Sequence, residues 1–501
     1  MKQFSLTLLP EGRIIPAQEG QTLQQALLAA QVQTDAPCGG KGTCGKCRCE
    51  ADGVSVLACQ TLVTHDMTVR LPEKEHTEVL TRGAHAQVRP DGDADYALAV
   101  DVGTTTVAAY LLDGHTGAVL QTVSALNPQT AFGGDVISRI QYVLEHPGTD
   151  ALRQAILKCL RGLTLQAAAQ AGIDAGQIAR ACIVGNTAMH HLLLGIDPRP
   201  LTLPPYMPKE LARRELPAAG LLPIREDGSV RILPNIAGFV GADTVGCMSA
   251  AAFDRLRQAT LLLDVGTNGE MVMTDGTRRI ACSTAAGPAF EGAKIRFGMR
   301  GAPGAIDHVD LENGKLACSV IGGGEAKGLC GSGLLDAVWA MLRCGMIDGT
   351  GRMDAGAGEA WRWGTVDGLP AVRLQDGVFL TQKDVRELQL AKAAIRAGIE
   401  LLMKKLGLRA QAVQRVLLAG AFGNFLRPSS ACGVGLLPPE LEEKIHPIGN
   451  AAGAGAQLCA LSRAEFERTT ALAEQTEFLE LASMPEFQDC YVDCMSFGED
   501  E

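Results

Sequence analysis

The 501-residue sequence predicts two structural units. Residues 1–71 read as a small α+β unit of β-grasp type. Residues 96–463 read as a larger α/β unit made of two lobes of one duplicated fold. Three observations predict this. The first 71 residues alternate strand-like pairs, one short helix and turn residues. From Tyr96 the texture changes to apolar strands alternating with helices. Two segments then repeat each other: "YALAVDVGTTTVAAYLLD" (96–113) and "ATLLLDVGTNGEMVMTD" (259–275) are each an apolar strand, Asp-Val-Gly-Thr, and a second apolar strand. Self-similarity on this scale argues for duplication.

The elements follow in order. "FSLTLL" and "RIIPA" flank the turn residues Pro10, Glu11 and Gly12, a hairpin signal. "GQTLQQALLAAQV" reads as a short helix, with Thr22 as N-cap and Gln25 completing a capping box. "RCEADGVSVLAC" is a strand, an Asp52-Gly53 turn and a strand, and "MTVRLP" closes the unit. Residues 72–95 are polar with scattered Pro and Gly and read as a linker. The first lobe is expected over 96–258 and the second over 259–463. Within the second, 384–407 has helical apolar spacing and ends at Gly407, with Lys404 and Lys405 in its last turn. "VLLAGAFGNFL" (416–426) is a strand entering a Gly-rich turn, and "IGNAAGAGAQLCAL" (448–461) a helix of small residues. The tail 464–501 is expected to pack on the second lobe.

Composition narrows the function classes. The chain is 47% hydrophobic and 20% charged, a globular balance. A formal net charge of −11 disfavours nucleic acid and anionic membrane as partners. There is no run of 18 apolar residues to span a bilayer. "MKQFSLTLLPEGR" lacks the apolar region of a signal peptide, so a cytoplasmic location is expected. In a reducing compartment clustered cysteines bind metal or carry redox chemistry.

Such a cluster occurs at Cys38-x5-Cys44-x2-Cys47-x11-Cys59. Glycines 39, 40, 42 and 45 let the loop wrap closely and aim N–H groups at sulfur. The Asp-Gly turn returns Cys59 beside Cys47, completing four thiolates. Zinc sites usually pair two Cys-x2-Cys knuckles, and only one is present. The three-plus-one arrangement resembles the plant-type and adrenodoxin-type [2Fe–2S] ferredoxins. Cys49 reads as a packing residue, and Lys41 and Lys46 as candidate docking residues on the loop's rim.

The repeated Asp-Val-Gly-Thr turns suit a polyphosphate. Glycine permits close backbone approach, threonine hydroxyls and N–H groups meet phosphate oxygens, and Asp orients Mg²⁺ through its waters. With "AGAFGN" (419–424) they resemble the superfamily of actin, sugar kinases and heat-shock chaperone ATPases. Its two ribonuclease-H-like lobes clamp ATP in the cleft between them. The resemblance assigns Asp101 to Thr106, with Gly103, Thr104 and Thr105, to a first phosphate loop, and Asp264 to Glu270, with Gly266, Thr267, Asn268 and Gly269, to a second. It implies that Asp101 and Asp264 hold the Mg²⁺–water shell, and that Gly420, Ala421, Phe422, Gly423 and Asn424 line the nucleoside. "CGSGLLD" places Gly331, Ser332 and Gly333 at a helix start, a candidate nucleotide contact. "GPAFEG" supplies Glu291, a candidate general base or Mg²⁺ ligand. His190 and His191 are adjacent, so they leave a helix on different sides and are not read as a metal pair.

A cluster domain fused to an ATP clamp narrows the field further. "CGGKGTCGKC", "LACQTLV", "AVDVGTTTVAAYL", "NPQTAFGGDVISRI", "VGNTAMHHLLLGID", "LPNIAGFVGAD", "LDVGTNGEM", "GPAFEGAKI", "CGSGLLD" and "LAGAFGNFL" together resemble the reductive activators of corrinoid-dependent enzymes. The resemblance implies an activator that passes an electron from a [2Fe–2S] cluster to the Co(II) state of a corrinoid methyl carrier, driven by ATP and Mg²⁺. It implies reloading by a ferredoxin or flavodoxin, and a homodimer. Activators of 2-hydroxyacyl-CoA dehydratases also couple ATP to low-potential electrons, but they lack an N-terminal ferredoxin domain, so Cys38 to Cys59 argues against them. A small-molecule kinase with a regulatory cluster is the other alternative. The ligand assignment is tested by Cys44→Ala, which is expected to abolish the normal [2Fe–2S] visible and EPR spectra; an unchanged spectrum would remove Cys44 from the ligand set.

Overall fold

The computed structural model describes residues 2–10, 12–30, 32, 40, 42, 47–71, 88–146 and 150–497. Residues 3–70 form a five-stranded sheet in the order Arg13–Gln18, Gln3–Leu9, Met67–Arg70, Arg48–Ala51, Val54–Leu57. The first and last strands in sequence lie side by side and parallel, and every other pair is antiparallel. The helix Leu23–Ala29 begins at a capping box made by Thr22 and Gln25. Its Leu23, Ala26 and Leu27 pack with Leu6, Leu8, Ile15 and Val69. Asp52 and Gly53 both have positive φ (49° and 82°), the backbone a tight hairpin turn needs.

The larger unit contains two six-stranded sheets with the same internal order. In the first, Val119–Leu126, Thr106–Asp113 and Tyr96–Val102 form an antiparallel meander, and Ile178–Gly185 and Ser229–Ile232 continue it in parallel. In the second, Arg279–Thr284, Gly269–Thr274 and Thr260–Val265 form the meander, and Arg415–Ala419 and Ile445–Gly449 continue in parallel. Both central strands are buried on both faces, which explains their near-continuous apolar sequence.

The two faces differ in kind. Leu98, Val100 and Val102 face an outer core with Ile156, Leu160 and Leu163 of the helix Asp150–Ala171. Ala97 and Ala99 face the other way. They join a shared core with Leu262 of the second sheet and with the helices Ala242–Ala250, Ala451–Leu461 and Arg463–Glu474. Small residues on that face let the helices lie close. A Cβ on Gly455 would overlap the Gly246 carbonyl, and one on Gly246 would come within 3.0 Å of the Ala452 carbonyl.

This shared layer adds contacts that the expected division into lobes does not describe. The helix Ala451–Leu461, placed in the second lobe by its position in sequence, packs on the first sheet. The tail does not rest on the second lobe alone. Arg468 of its first helix binds Asp254 and the Ser249 carbonyl, and Arg463 reaches Glu215 at 3.5 Å. Only farther on do Glu477–Phe478 join the edge of the second sheet and Pro485–Asp493 pack against the helix Gln382–Leu406. Local polarity could not foresee this, because the arginines that pin the tail are paired only in three dimensions. Of the expected linker, residues 72–87 lie outside the described residues. Residues 88–95 are docked: the Asp91 N–H donates to the Leu461 carbonyl at 3.0 Å, and Arg180 pairs with Asp93 at 2.6 Å. Among the described residues no helix is long and apolar enough to cross a membrane.

Gly455→Val is expected to push the two crossing helices apart at a cost of about 1–3 kcal/mol, lowering the melting temperature by about 2–4 °C per kcal/mol. Calorimetry checks this; a variant as stable as the wild type would show that the joint tolerates separation.

Candidate functional site

Each Asp-Val-Gly-Thr turn ends the central strand of its sheet. Asp101 is opposite Ala108 and Asp264 opposite Glu270 in their hairpins. Loop 103–106 is pinned from behind through its carbonyls. Asn127 donates to the Gly103 carbonyl at 2.8 Å through its side chain, and to the Thr105 carbonyl at 2.8 Å through its backbone. Arg139, fully buried, donates to the Thr104 carbonyl and to the Gly133 carbonyl at 2.9 Å. Asn186 donates to Thr104 Oγ1 at 3.0 Å. Burial holds the Arg139 guanidinium down to about 10, with Asp135 and Glu291 partly offsetting it.

The two loops meet at Glu291. Its carboxylate accepts from Thr105 Oγ1 at 3.3 Å and from Thr267 Oγ1 at 2.7 Å, one hydroxyl from each repeat. Gly331 and Gly333 work behind this residue. A Cβ on either would overlap the carbonyls of Phe290 and Ile306 respectively, and Ser332 is buried with its hydroxyl 3.3 Å from Cys330 Sγ. Gly331 lets the helix Gly331–Arg343 close on the turn that carries Glu291, and Gly333 lets it close on the strand Ala305–Glu312, a packing role beside the expected nucleotide contact.

Four carboxylates face one another between the lobes. Burial pushes Asp264 up to about 6, and burial together with Asp264 pushes Asp101 up to about 6 against the Asn450 hydrogen bond. Burial, then Asp264 and Asp101, push Asp243 up to about 7. Glu270 is raised well above the usual carboxylate range by burial and by Asp243 and Asp264. The opposing partners are few: Asn450 donates to Asp101 Oδ2 at 2.9 Å, and Cys247 Sγ lies 3.8 Å from Asp264 Oδ2. Like charges enclosed together call for protons or a cation. Among the described residues no three such groups are arranged to chelate a metal directly. That suits Mg²⁺, which keeps most of its waters and binds through phosphates and one or two carboxylates.

The expected nucleoside turn abuts this cleft. Ala419 pairs with Asp264 across parallel strands, and the short helix Gly420–Phe425 follows at once. Gly420 has φ of 85°, and a Cβ there would come within 2.7 Å of Asp264 Oδ1. Phe422 packs on Phe290 with ring centroids 4.6 Å apart. Gly423 lies against Leu418. The side chains of Ala421 and Asn424 lie outside the described ones. His190 and His191 are both buried; His190 meets Asn235 and His191 Nδ1 meets the Thr187 carbonyl at 2.8 Å, so both serve packing.

In the small unit Cys38 and Cys44, with Lys41 and Lys46, lie outside the described residues. Cys47 and Cys59 are buried at the mouth of the Asp52-Gly53 hairpin, and the Ala58 N–H donates to the Cys47 carbonyl at 2.9 Å. Cys49 pairs with Val56 inside the core, and burial pushes its thiol up, as a packing residue requires. Gly40 and Gly42 have φ of 86° and 75°. A Cβ on Gly42 would press within 2.9 Å of Gln60. Two neighbouring soft donors and a loop needing left-handed glycines fit a metal–sulfur cluster.

Three family models match the chain: a 2Fe-2S iron-sulfur cluster binding domain over residues 6–64, the RACo middle region over 96–256, and the C-terminal domain of RACo, the ASKHA domain, over 258–501. The corrinoid activation enzyme RamQ of Eubacterium limosum is 38% identical over 422 residues, which cover 81% of this chain and 70% of the relative. The chain belongs to the RACo family. A second relative, the [Co(II) methylated amine-specific corrinoid protein] reductase of Methanosarcina barkeri, is 26% identical over 80% of this chain and 77% of its own. The solved structure of a reductive activator for corrinoid, iron-sulfur protein superposes with a TM-score of 0.73 at 28% identity, covering 98% of each chain. Membership in the RACo family agrees with the expected fold: a cluster-binding domain followed by a duplicated two-lobed ATPase domain.

Sequence reasoning missed Asp243, Asn450, Asn127, Arg139 and Gln60. Each lay within or beside a quoted motif, but at least one partner of each is distant in sequence. The Asp243 charge is the most testable. Unfolded it ionises near pH 3.9, and folded near 7. Between those values the native state binds more protons, so this group's contribution to stability falls as pH rises. Asp243→Asn is therefore expected to raise the melting temperature of metal-free protein at pH 8 by several degrees, and by less at pH 5.5. Equal shifts at both pH values would count against a carboxyl raised by its neighbours.

Proposed function

We infer that this chain is an ATP-dependent reductive activator: it passes one electron from a [2Fe–2S] cluster to the Co(II) state of a corrinoid methyl carrier, restoring Co(I) for methyl transfer. One observation carries the reading. A cysteine cradle and a four-carboxylate cleft between duplicated phosphate loops occur in one chain that is 38% identical to a corrinoid activation enzyme.

The residues divide the work. Cys38, Cys44, Cys47 and Cys59 hold the cluster, which supplies a one-electron carrier. Thr104, Thr105 and Thr106 of the first loop and Thr267 and Asn268 of the second meet the nucleotide's phosphates, with Gly103, Gly266 and Gly269 allowing close approach. Asp101 and Asp264 orient the water shell of Mg²⁺. Asp243, with a carboxyl near neutrality, is suited to take a proton from the attacking water. Glu291 holds the two loops at fixed spacing through Thr105 and Thr267. Gly420, Ala421, Phe422, Gly423 and Asn424 border the nucleoside, and the bare Cα of Gly420 leaves Asp264 room. Closure of the lobes on ATP then drives a reduction that is uphill on its own. An external low-potential donor such as a ferredoxin or flavodoxin reloads the cluster. The protein acts in the cytoplasm as a homodimer.

Asp101→Asn tests the coupling. It is expected to keep the [2Fe–2S] spectrum and to lose ATP-dependent Co(II) reduction of a cognate corrinoid protein by about 10²-fold or more. Reduction that proceeds equally well without ATP would overturn the reading.

A further inference from the structure

Gln60 follows Cys59 directly and is exposed at the edge of the cradle. Its amide nitrogen donates to the Gly40 carbonyl at 3.0 Å and stands 3.5 Å from Cys59 Sγ, within reach of an N–H···S bond. The loop is shaped around this amide. At Gly42 a Cβ would sit 2.9 Å from both Cδ and Nε2 of Gln60. At Gly40 a Cβ would approach Gln24 Oε1 at 3.2 Å and Cys59 Cβ at 3.9 Å. Gln24 is itself buried on the helix beneath. One side chain therefore joins a candidate ligand sulfur to the Gly40 carbonyl.

We propose that Gln60 is a positioning residue that sets the reduction potential of the cluster through its N–H···S bond to Cys59. The inference rests on the reading of Cys38, Cys44, Cys47 and Cys59 as [2Fe–2S] ligands. Uptake of one electron adds one negative charge, shared with the ligand sulfurs, and no proton. A donor aimed at one of those sulfurs stabilises the reduced form more than the oxidised form and raises the potential. The same nitrogen, held by the Gly40 carbonyl, cannot swing away without freeing the loop. Gln60 thus makes the cluster easier to load from an external donor and weaker as a reductant. That shortfall is what nucleotide-driven closure would have to supply.

The test uses full-length protein carrying its cluster, with midpoint potentials from EPR-monitored redox titration. Gln60→Met removes the donor at similar length, and Gln60→Glu keeps the shape but replaces the donor with a negative charge. Both are expected to shift the potential downward, Glu further than Met, in whichever variants retain a full cluster. A retained cluster at the wild-type potential overturns the proposal. Loss of the cluster from both variants also overturns it, because the amide would then be a clamp and not a tuner. A wild-type protein with no [2Fe–2S] spectrum would instead remove the cluster reading itself, and this inference with it.

Discussion

The site depends on one close contact between two helices. Ala242–Ala250 and Ala451–Leu461 cross with Gly246 against Gly455, closer than any side chain would permit. Each helix begins in the cleft. Asp243 lies in the first turn of one, and Asn450 caps the other while donating to Asp101. The helices also separate the two sheets whose central strands end in Asp101 and Asp264. Any residue that widened the crossing would move donors and acceptors from both lobes at once. The run of alanines and glycines in these elements, and the alanines on the facing side of the first sheet, follow from that requirement.

That joint gathers charge at a cost. Four carboxylates share a low-dielectric cleft with few compensating donors, so each is pushed toward its neutral form. Protons or a cation would relieve this repulsion. Around the cleft the rigid groups are neutral or cationic and face away: Asn127 and Arg139 hold loop carbonyls from behind, leaving the loop's inner side to the ligand. Glu291 ties the two loops through their hydroxyls, so a ligand that competes for Thr105 and Thr267 acts on both lobes.

The cluster unit obeys a different economy. It has its own small core, separate from those of the lobes. Its hairpin brings Cys47 and Cys59 together by a two-residue turn, a local device that works without distant partners. An electron carrier with an independent core can move relative to its engine without disturbing either core.

Much of this was legible in the sequence because it is local. Turn chemistry at Asp52-Gly53, the capping box at Thr22, the αL stop at Gly407 and the repeated Asp-Val-Gly-Thr each need only neighbouring residues. They sufficed for the β-grasp unit, the duplicated lobes and the two loops. Composition did not show that residues 88–95 dock, or that the tail also reaches the first lobe, because their polar side chains pair with partners far along the chain. Sequence alone also could not show that Gly331 and Gly333 lie against carbonyls, since a glycine needed for a helix to approach a carbonyl looks the same as one needed for a phosphate. What only the tertiary structure decided is which charges meet. Asp243 and Asn450 carry no local signature, because their significance is the field of Asp101 and Asp264, and that field exists only once two sheets are joined through one glycine crossing.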